Sequence, residues 1–295
     1  MSINGADWKR SFDNEGGPII DGRKYHNVED STYWLPKDED EQLRLTGVHF
    51  AVKKMFEGNL FPEAYEFTNF DEGVKCLDVG CGPGSFVMDM AVENPKSYFH
   101  GIDIAAMFDS QIKLKNTEFS LGNVLTGLPF PDNSVDFIHM RLFLAALRRN
   151  EWPVALKEVF RILKPGGGIQ LCEYLARETG NESCKYVKRT IFEMMRDHNQ
   201  VPEAGDMLET WIKEAGFDSI KTETRSVDVG GEGSFARQWL WVWEQTVTSS
   251  FPRVGPILGV KSEKYDEYIQ NHLNEMVESH GVISFTRSLG RKPLE

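Results

Sequence analysis

Cysteine is scarce in this sequence, and the few present do not fall into a metal-binding or redox pattern. Cys76, Cys81, Cys172 and Cys184 are the four cysteines of 295 residues, and none forms a CxxC pair. They read as reduced, buried thiols of an intracellular chain. The seven histidines are scattered, without HxxxH or HExxH spacing, so no metal site is expected. No apolar run approaches the ~18 residues of a membrane span. The first residues lack the apolar core of a secretory signal, and the expected compartment is the cytoplasm or nucleus. Positive charge is also thin: no Lys/Arg run exceeds two residues, and the net charge is −12. Such a surface repels phosphate backbones, so the expected partner is a small molecule or a protein rather than nucleic acid. There is no internal repeat.

What is present is an ordinary globular composition, 40% hydrophobic and 26% charged, with enough chain for one large domain. Residues 1–30 are polar and Gly-rich and read as a flexible arm. Residues 31–73 read as a helical lid. Asp38 is placed as an N-cap, with Glu41 three residues on. Leu45, Val48, His49, Val52, Met55 and Phe56 then form one apolar stripe of an amphipathic helix. From residue 74 the pattern alternates. Strands are expected at 74–79, 98–104, 118–121, 135–140 and 169–173, with helices between them. One of these helices is capped by Asn150 and stopped by Pro165-Gly166-Gly167. This alternation predicts a doubly wound α/β domain over 74–295, with a mostly parallel sheet and a crevice at its carboxyl edge. Further helices, a strand near 219–227, a helical insertion at about 229–280 carrying Trp239, Trp241 and Trp243, and a last strand from Val282 complete it.

The chemistry concentrates at Leu77-Asp78-Val79-Gly80-Cys81-Gly82-Pro83-Gly84, a strand-to-helix turn. Glycines at alternate positions let the backbone turn tightly and approach a ligand, and the helix behind them offers free N–H groups. The dinucleotide fingerprint G-x-G-x-x-G is not met, because the third glycine comes one position early and Ser85 takes its place. Asp103 follows Gly84 by 19 residues and ends the next strand, where a carboxylate can accept from both hydroxyls of an adenosine ribose. Asn123 and Val124 follow the third strand and suit an adenine edge and face. Ile104, beside Asp103, joins the same wall.

These segments resemble the class I S-adenosylmethionine-dependent methyltransferases over roughly residues 74–175. The motifs are D-V-G-C-G-P-G, Gly101-Ile102-Asp103, Gly122-Asn123-Val124, Leu128-Pro129-Phe130, Val135-Asp136-Phe137-Ile138 and Leu163-Lys164-Pro165-Gly166-Gly167. Asn123 departs from the acidic residue common in that family. Tyr33-Trp34-Leu35-Pro36, the helix over 44–59 and His139-Met140-Arg141 are similar to fungal LaeA-like proteins, a group linked to secondary metabolism. The resemblance implies a seven-stranded Rossmann-like sheet, S-adenosylmethionine as cofactor and S-adenosylhomocysteine as product. It implies cofactor contacts at Asp78, Gly80, Cys81, Gly82, Gly84, Asp103, Ile104, Asn123, Val124, His139 and Met140.

Methyl transfer from a sulfonium needs an acceptor held in line in a dry pocket, and a base only where the acceptor carries a proton. His139 and Glu173, at strand ends, are the candidates for catalysis. Tyr33, Trp34, His49 and Arg141 are the candidates for lid and substrate contacts, aromatic faces being attractive to a cation. Three functions compete: methyl transfer to a small-molecule or protein acceptor, a cofactor-binding regulator with little turnover, and a nucleotide-cofactor oxidoreductase, against which the early third glycine and the Leu-Lys-Pro-Gly-Gly turn argue.

Overall fold

The computed structural model describes residues 17–28, 31–108 and 114–295. Most of the arm expected over 1–30 lies outside the described residues. Its described part is ordered earlier than Tyr33, as a hairpin of β1 (Ile19–Ile20) and β2 (Arg23–Lys24) turning on Asp21 and Gly22, both at positive φ. The lid follows as α1 (Glu39–Met55) and α2 (Pro62–Phe67). Asp38 does cap α1, accepting from the Glu41 N–H at 3.1 Å.

The sheet is built from β3 (Lys75–Val79), β4 (Tyr98–Asp103), β5 (Thr117–Leu121), β6 (Val135–Arg141), β7 (Leu163–Tyr174), β8 (Asp218–Asp228) and β9 (Val282–Arg291). Their order is β5-β4-β3-β6-β7-β9-β8. The first five are parallel, and β9 runs antiparallel between β7 and β8. This is the seven-stranded, mostly parallel sheet expected. Its central strands are almost wholly buried because helices cover both faces, as the runs Cys76-Leu77 and Phe137-Ile138 require. The chain winds from β3 outward through β5 and returns to β6 on the other side of β3. That reversal opens a crevice at the carboxyl ends of β3 and β6.

Around the sheet lie α3 (Ser85–Glu93), α4 (Trp152–Ile162), α5 (Glu182–Asp197) and α6 (Ala204–Glu214). Two local expectations change. Asn150 is not the cap of α4, which starts at Trp152-Pro153, and the Glu151 carboxylate instead accepts from the Arg148 N–H. The Pro165-Gly166-Gly167 turn is not a loop but the irregular start of β7. There the Gly166 N–H donates to Lys292 O, and the Lys292 N–H donates to Gly167 O.

Between β8 and β9 the chain forms α7 (Ser234–Ile257) and α8 (Tyr265–Glu278). The helical period sorts the tryptophans of α7. Trp239 and Trp243, four apart, face inward, and Trp241 turns toward α1. A Cβ on Gly47 of α1 would stand 2.2 Å from the Trp241 ring, so the glycine is what lets the helices meet. No helix among the described residues is long and apolar enough to cross a membrane, and none of them form a cluster able to hold a metal ion.

Candidate active site

The crevice opens into a cavity of about 450 Å³, bounded by the glycine turn, the segment 31–35, α1, α5, α7 and the ends of β4, β6 and β7. That size falls within the range of small-molecule sites. Gly80, Gly82 and Gly84 all take positive φ, +69°, +53° and +84°. A Cβ at Gly80 would meet the Phe143 ring at 2.6 Å, and one at Gly84 the Phe119 ring at 2.5 Å, so no larger residue fits either turn. The turn is laced to β4. Gly80 and Cys81 donate to Ile102 O, and Asp103 accepts from the Gly82 N–H at 2.8 Å and the Ala105 N–H at 2.9 Å. Burial raises the Asp103 carboxyl to about 6, against the pull of those N–H donors.

Asp78 reaches across to β6, where its Oδ1 lies 2.7 Å from His139 Nδ1. Phe86 stacks on the imidazole at 3.8 Å between centroids. Burial lowers the His139 pKa, outweighing the Asp78 carboxylate that raises it. Asn123 Oδ1 accepts from the Leu125 N–H, so its amide nitrogen is the end left without a partner among the described residues.

The segment 31–35 is strapped over the cavity by several side chains, Gln200 among them, with Thr32 Oγ1 donating to Ala146 O at 3.1 Å. Gln200 Oε1 accepts from Trp34 Nε1 at 3.2 Å, while its Nε2 donates to Thr32 O at 3.1 Å and Ala145 O at 2.6 Å. Tyr33 Oη donates to Glu41, whose carboxylate also holds Arg44 at 2.5 Å.

Arg141 follows Met140, which stands opposite Val79, so it lies level with Gly80. It donates to His49 Nδ1 at 3.1 Å. Because a guanidinium can only donate, His49 Nδ1 must accept, and its Nε2–H donates to Asp89 at 3.0 Å. Burial holds the His49 pKa down at about 4, so the ring is neutral. Burial works against the Asp89 carboxylate, but hydrogen bonds from His49, Lys53 and Asn59 keep it well below the usual range.

Of the expected cofactor contacts, Asp78, Gly80, Cys81, Gly82, Asp103, Ile104, Asn123, Val124 and His139 lie on the cavity wall. Gly84 and Met140 lie off it, the first as the N-cap of α3 and the second in the core. Tyr33, Trp34 and Arg141 are on the wall, whereas His49 stands behind Arg141. Glu173 corrects an expectation. Placed beside the acceptor by sequence, it is 1% exposed and folds back to accept from the Phe143 and Leu144 N–H groups. Burial raises its carboxyl to about 8. Phe143, Tyr174 and the aromatic face of α7 belong to the wall without any sequence motif having marked them, and Gln200 stands behind it, holding Trp34.

Residues 76–167 match the family model of a methyltransferase domain. The secondary metabolism regulator laeA of Coprinopsis cinerea is 30% identical over 287 residues, covering 90% of this chain and 71% of that protein. The chain belongs to the LaeA-like class I methyltransferases. Within this family, methyltransferase pytC of Aspergillus terreus is 24% identical, over 71% of this chain and 64% of its own length. Among solved structures, the [4+2]-cyclase SpnF shares the fold, with a TM-score of 0.51, 19% identity, and coverage of 88% and 99% of the two chains. The LaeA-like fold therefore accounts for the sheet order and the crevice, and S-adenosylmethionine-dependent methyl transfer is the chemistry of the family.

Proposed function

We propose that this chain binds S-adenosylmethionine in the crevice and methylates a small molecule enclosed in the adjoining cavity. The observation that carries this reading is the glycine turn laced to Asp103 at the mouth of a deep cavity. The residues fit the cofactor. The Asp103 carboxylate accepts the Gly82 and Ala105 N–H groups, with the Ile104 N–H a further donor, and with about four acceptor sites it can still take a ribose hydroxyl. The Asn123 amide nitrogen supplies a donor for an adenine ring nitrogen, with Ile104 and Val124 as apolar walls. The positive-φ glycines leave backbone where a Cβ would stand.

When bound, this cofactor supplies a methyl group activated by a sulfonium. The chain's own work is to hold the acceptor in line and to exclude water. The strap and its Gln200 clasp serve the second task, and the buried walls of α5 and α7 serve the first. Where the acceptor carries a proton at neutral pH, His139 is the wall residue to take it, oriented by Asp78.

Calorimetric titration with S-adenosylmethionine, and with NADH as control, tests the cofactor half. Micromolar binding of the first alone is expected, and binding of NADH in preference sinks the reading. Transfer of radiolabelled methyl to an extracted small-molecule pool tests the acceptor half. A second reading, a cofactor-binding regulator with little turnover, is favoured by one observation: Glu173 is buried and turned to the Phe143 and Leu144 N–H groups. It would take first place if cofactor binds and no label moves.

A further inference from the structure

Two arginines line the cavity, and they are not equivalent. Arg44 is neutralised by Glu41 in a bidentate pair with hydrogen bonds of 2.5 and 2.8 Å. Arg141 has no carboxylate within ion-pair distance among the described residues, and its one hydrogen bond goes to the uncharged His49 ring. The carboxylates whose field reaches it are occupied elsewhere: Asp78 by His139, Asp89 by His49 and Lys53, Glu173 by two backbone N–H groups. A guanidinium brings five N–H donors in a planar fork, so most of its capacity faces the cavity unused. It cannot escape by losing its proton, since arginine stays charged in proteins. A buried cation of this kind calls for an anion.

Part of the same cavity wall is aromatic. Tyr174 and Trp243 lie nearly parallel, 6.4 Å between centroids and 20° between planes, and Phe285 meets Tyr174 edge-on at 5.7 Å. All three line the cavity. Flat rings and an unneutralised cation lining one cavity favour a flat ligand with an anionic oxygen at one end.

We infer that the methyl acceptor is a planar aromatic small molecule bearing an anionic oxygen group, and that Arg141 is the residue that binds that group. The Arg141–His49–Asp89 chain then acts as a bracket, holding the guanidinium fork at the carboxyl end of β6, level with the glycine turn. This rests on the proposed methyltransferase reading for the neighbouring crevice. A carboxylate could also reach Arg141 from the amino-acid end of the cofactor, and the test separates the two sources.

The experiment is calorimetric titration of the whole chain with matched probes, indole-3-carboxylate against indole-3-carboxamide, with and without saturating S-adenosylhomocysteine. The wild-type protein is expected to prefer the carboxylate by at least about tenfold, the ratio one charge-assisted hydrogen bond supplies. Arg141→Met should erase that preference while leaving S-adenosylhomocysteine affinity within about twofold, and Arg141→Lys should keep part of it. Equal binding of the two probes by wild type, which needs no variant to fold, overturns the inference. So does a tenfold loss of S-adenosylhomocysteine affinity in Arg141→Met with unchanged binding of 5′-methylthioadenosine, which lacks the carboxylate, because Arg141 would then read the cofactor. A carboxylate preference without any S-adenosylhomocysteine binding supports anion recognition by Arg141 but removes the methyltransferase reading, and with it the identification of that ligand as a methyl acceptor.

Discussion

The cavity has two walls made on different plans. The wall formed by β3, β4 and the glycine turn is mostly backbone: three positive-φ glycines, N–H groups bonded to Ile102 and Asp103, and one Asx turn at Asn123. The wall formed by β6, β7, α5 and α7 is side chain, with aromatic rings and one guanidinium, and a glutamine clasp holds Trp34 from behind. Backbone contacts can be made by any sequence that permits the turn, so the first wall suits a ligand common to a family. Side-chain contacts change with each substitution, so the second suits a ligand particular to this chain.

The sharpest way to break that contrast is Asp103→Ala. The carboxylate organises the Gly82 N–H and stands where a ribose would bind, so S-adenosylhomocysteine affinity should fall by at least about 30-fold, roughly 2 kcal/mol, by titration. Retained affinity would mean that the backbone wall does not hold the cofactor. Next comes Gly47→Leu, which drives a side chain into the Trp241 ring and prises α1 from α7. Overpacking of this kind should destabilise by about 1–3 kcal/mol in a denaturant melt. If the walls are independent, affinity for S-adenosylhomocysteine changes little in the same variant.

A smaller effect is expected from pH. The Asp103 carboxyl titrates at about 6 in the free protein because it is buried. Hydroxyl recognition needs the ionised form, so S-adenosylhomocysteine affinity should be flat above pH 6 and decline as pH falls through it, up to about tenfold per unit. A flat profile from pH 7 to 5 would leave Asp103 without this role. The smallest effect concerns the four cysteines, all buried and each with its thiol pKa raised by burial. None should react with a thiol reagent in the native protein over minutes, and all four should react once it is unfolded. Rapid native labelling of Cys81 would show that the glycine turn opens.

The backbone wall was legible in the sequence because its rules are local. Glycine spacing, an acidic residue at the next strand end and a turn after the third strand each act within a few residues of themselves. The side-chain wall was not. Gln200 reaches Trp34 across 166 residues of chain, and no periodicity announces such a contact. Glu173 illustrates the limit from the other side. Its strand-end position was read correctly, yet its direction was decided by two unpaired N–H groups at Phe143 and Leu144, beyond Leu142, which itself sits in the left-handed region. Trp239, Trp241 and Trp243 alternate along the sequence, a spacing that a helix cannot place on one face. What Trp241 packs against depended on the glycine at position 47 of a distant helix.

The Gln200 clasp has a consequence in time as well as in space. Its amide uses both ends, accepting from Trp34 and donating to Thr32 and Ala145, so turning the amide over would oppose donor to donor and acceptor to acceptor. Flipping the amide therefore forfeits all three bonds together, while Thr32 Oγ1 to Ala146 O and Tyr33 Oη to Glu41 hold the segment beside it. If the clasp must release before a ligand enters, entry is paced by a first-order opening step. Association rates measured by stopped flow would level off as ligand concentration rises, and chemically unlike ligands would share the same ceiling.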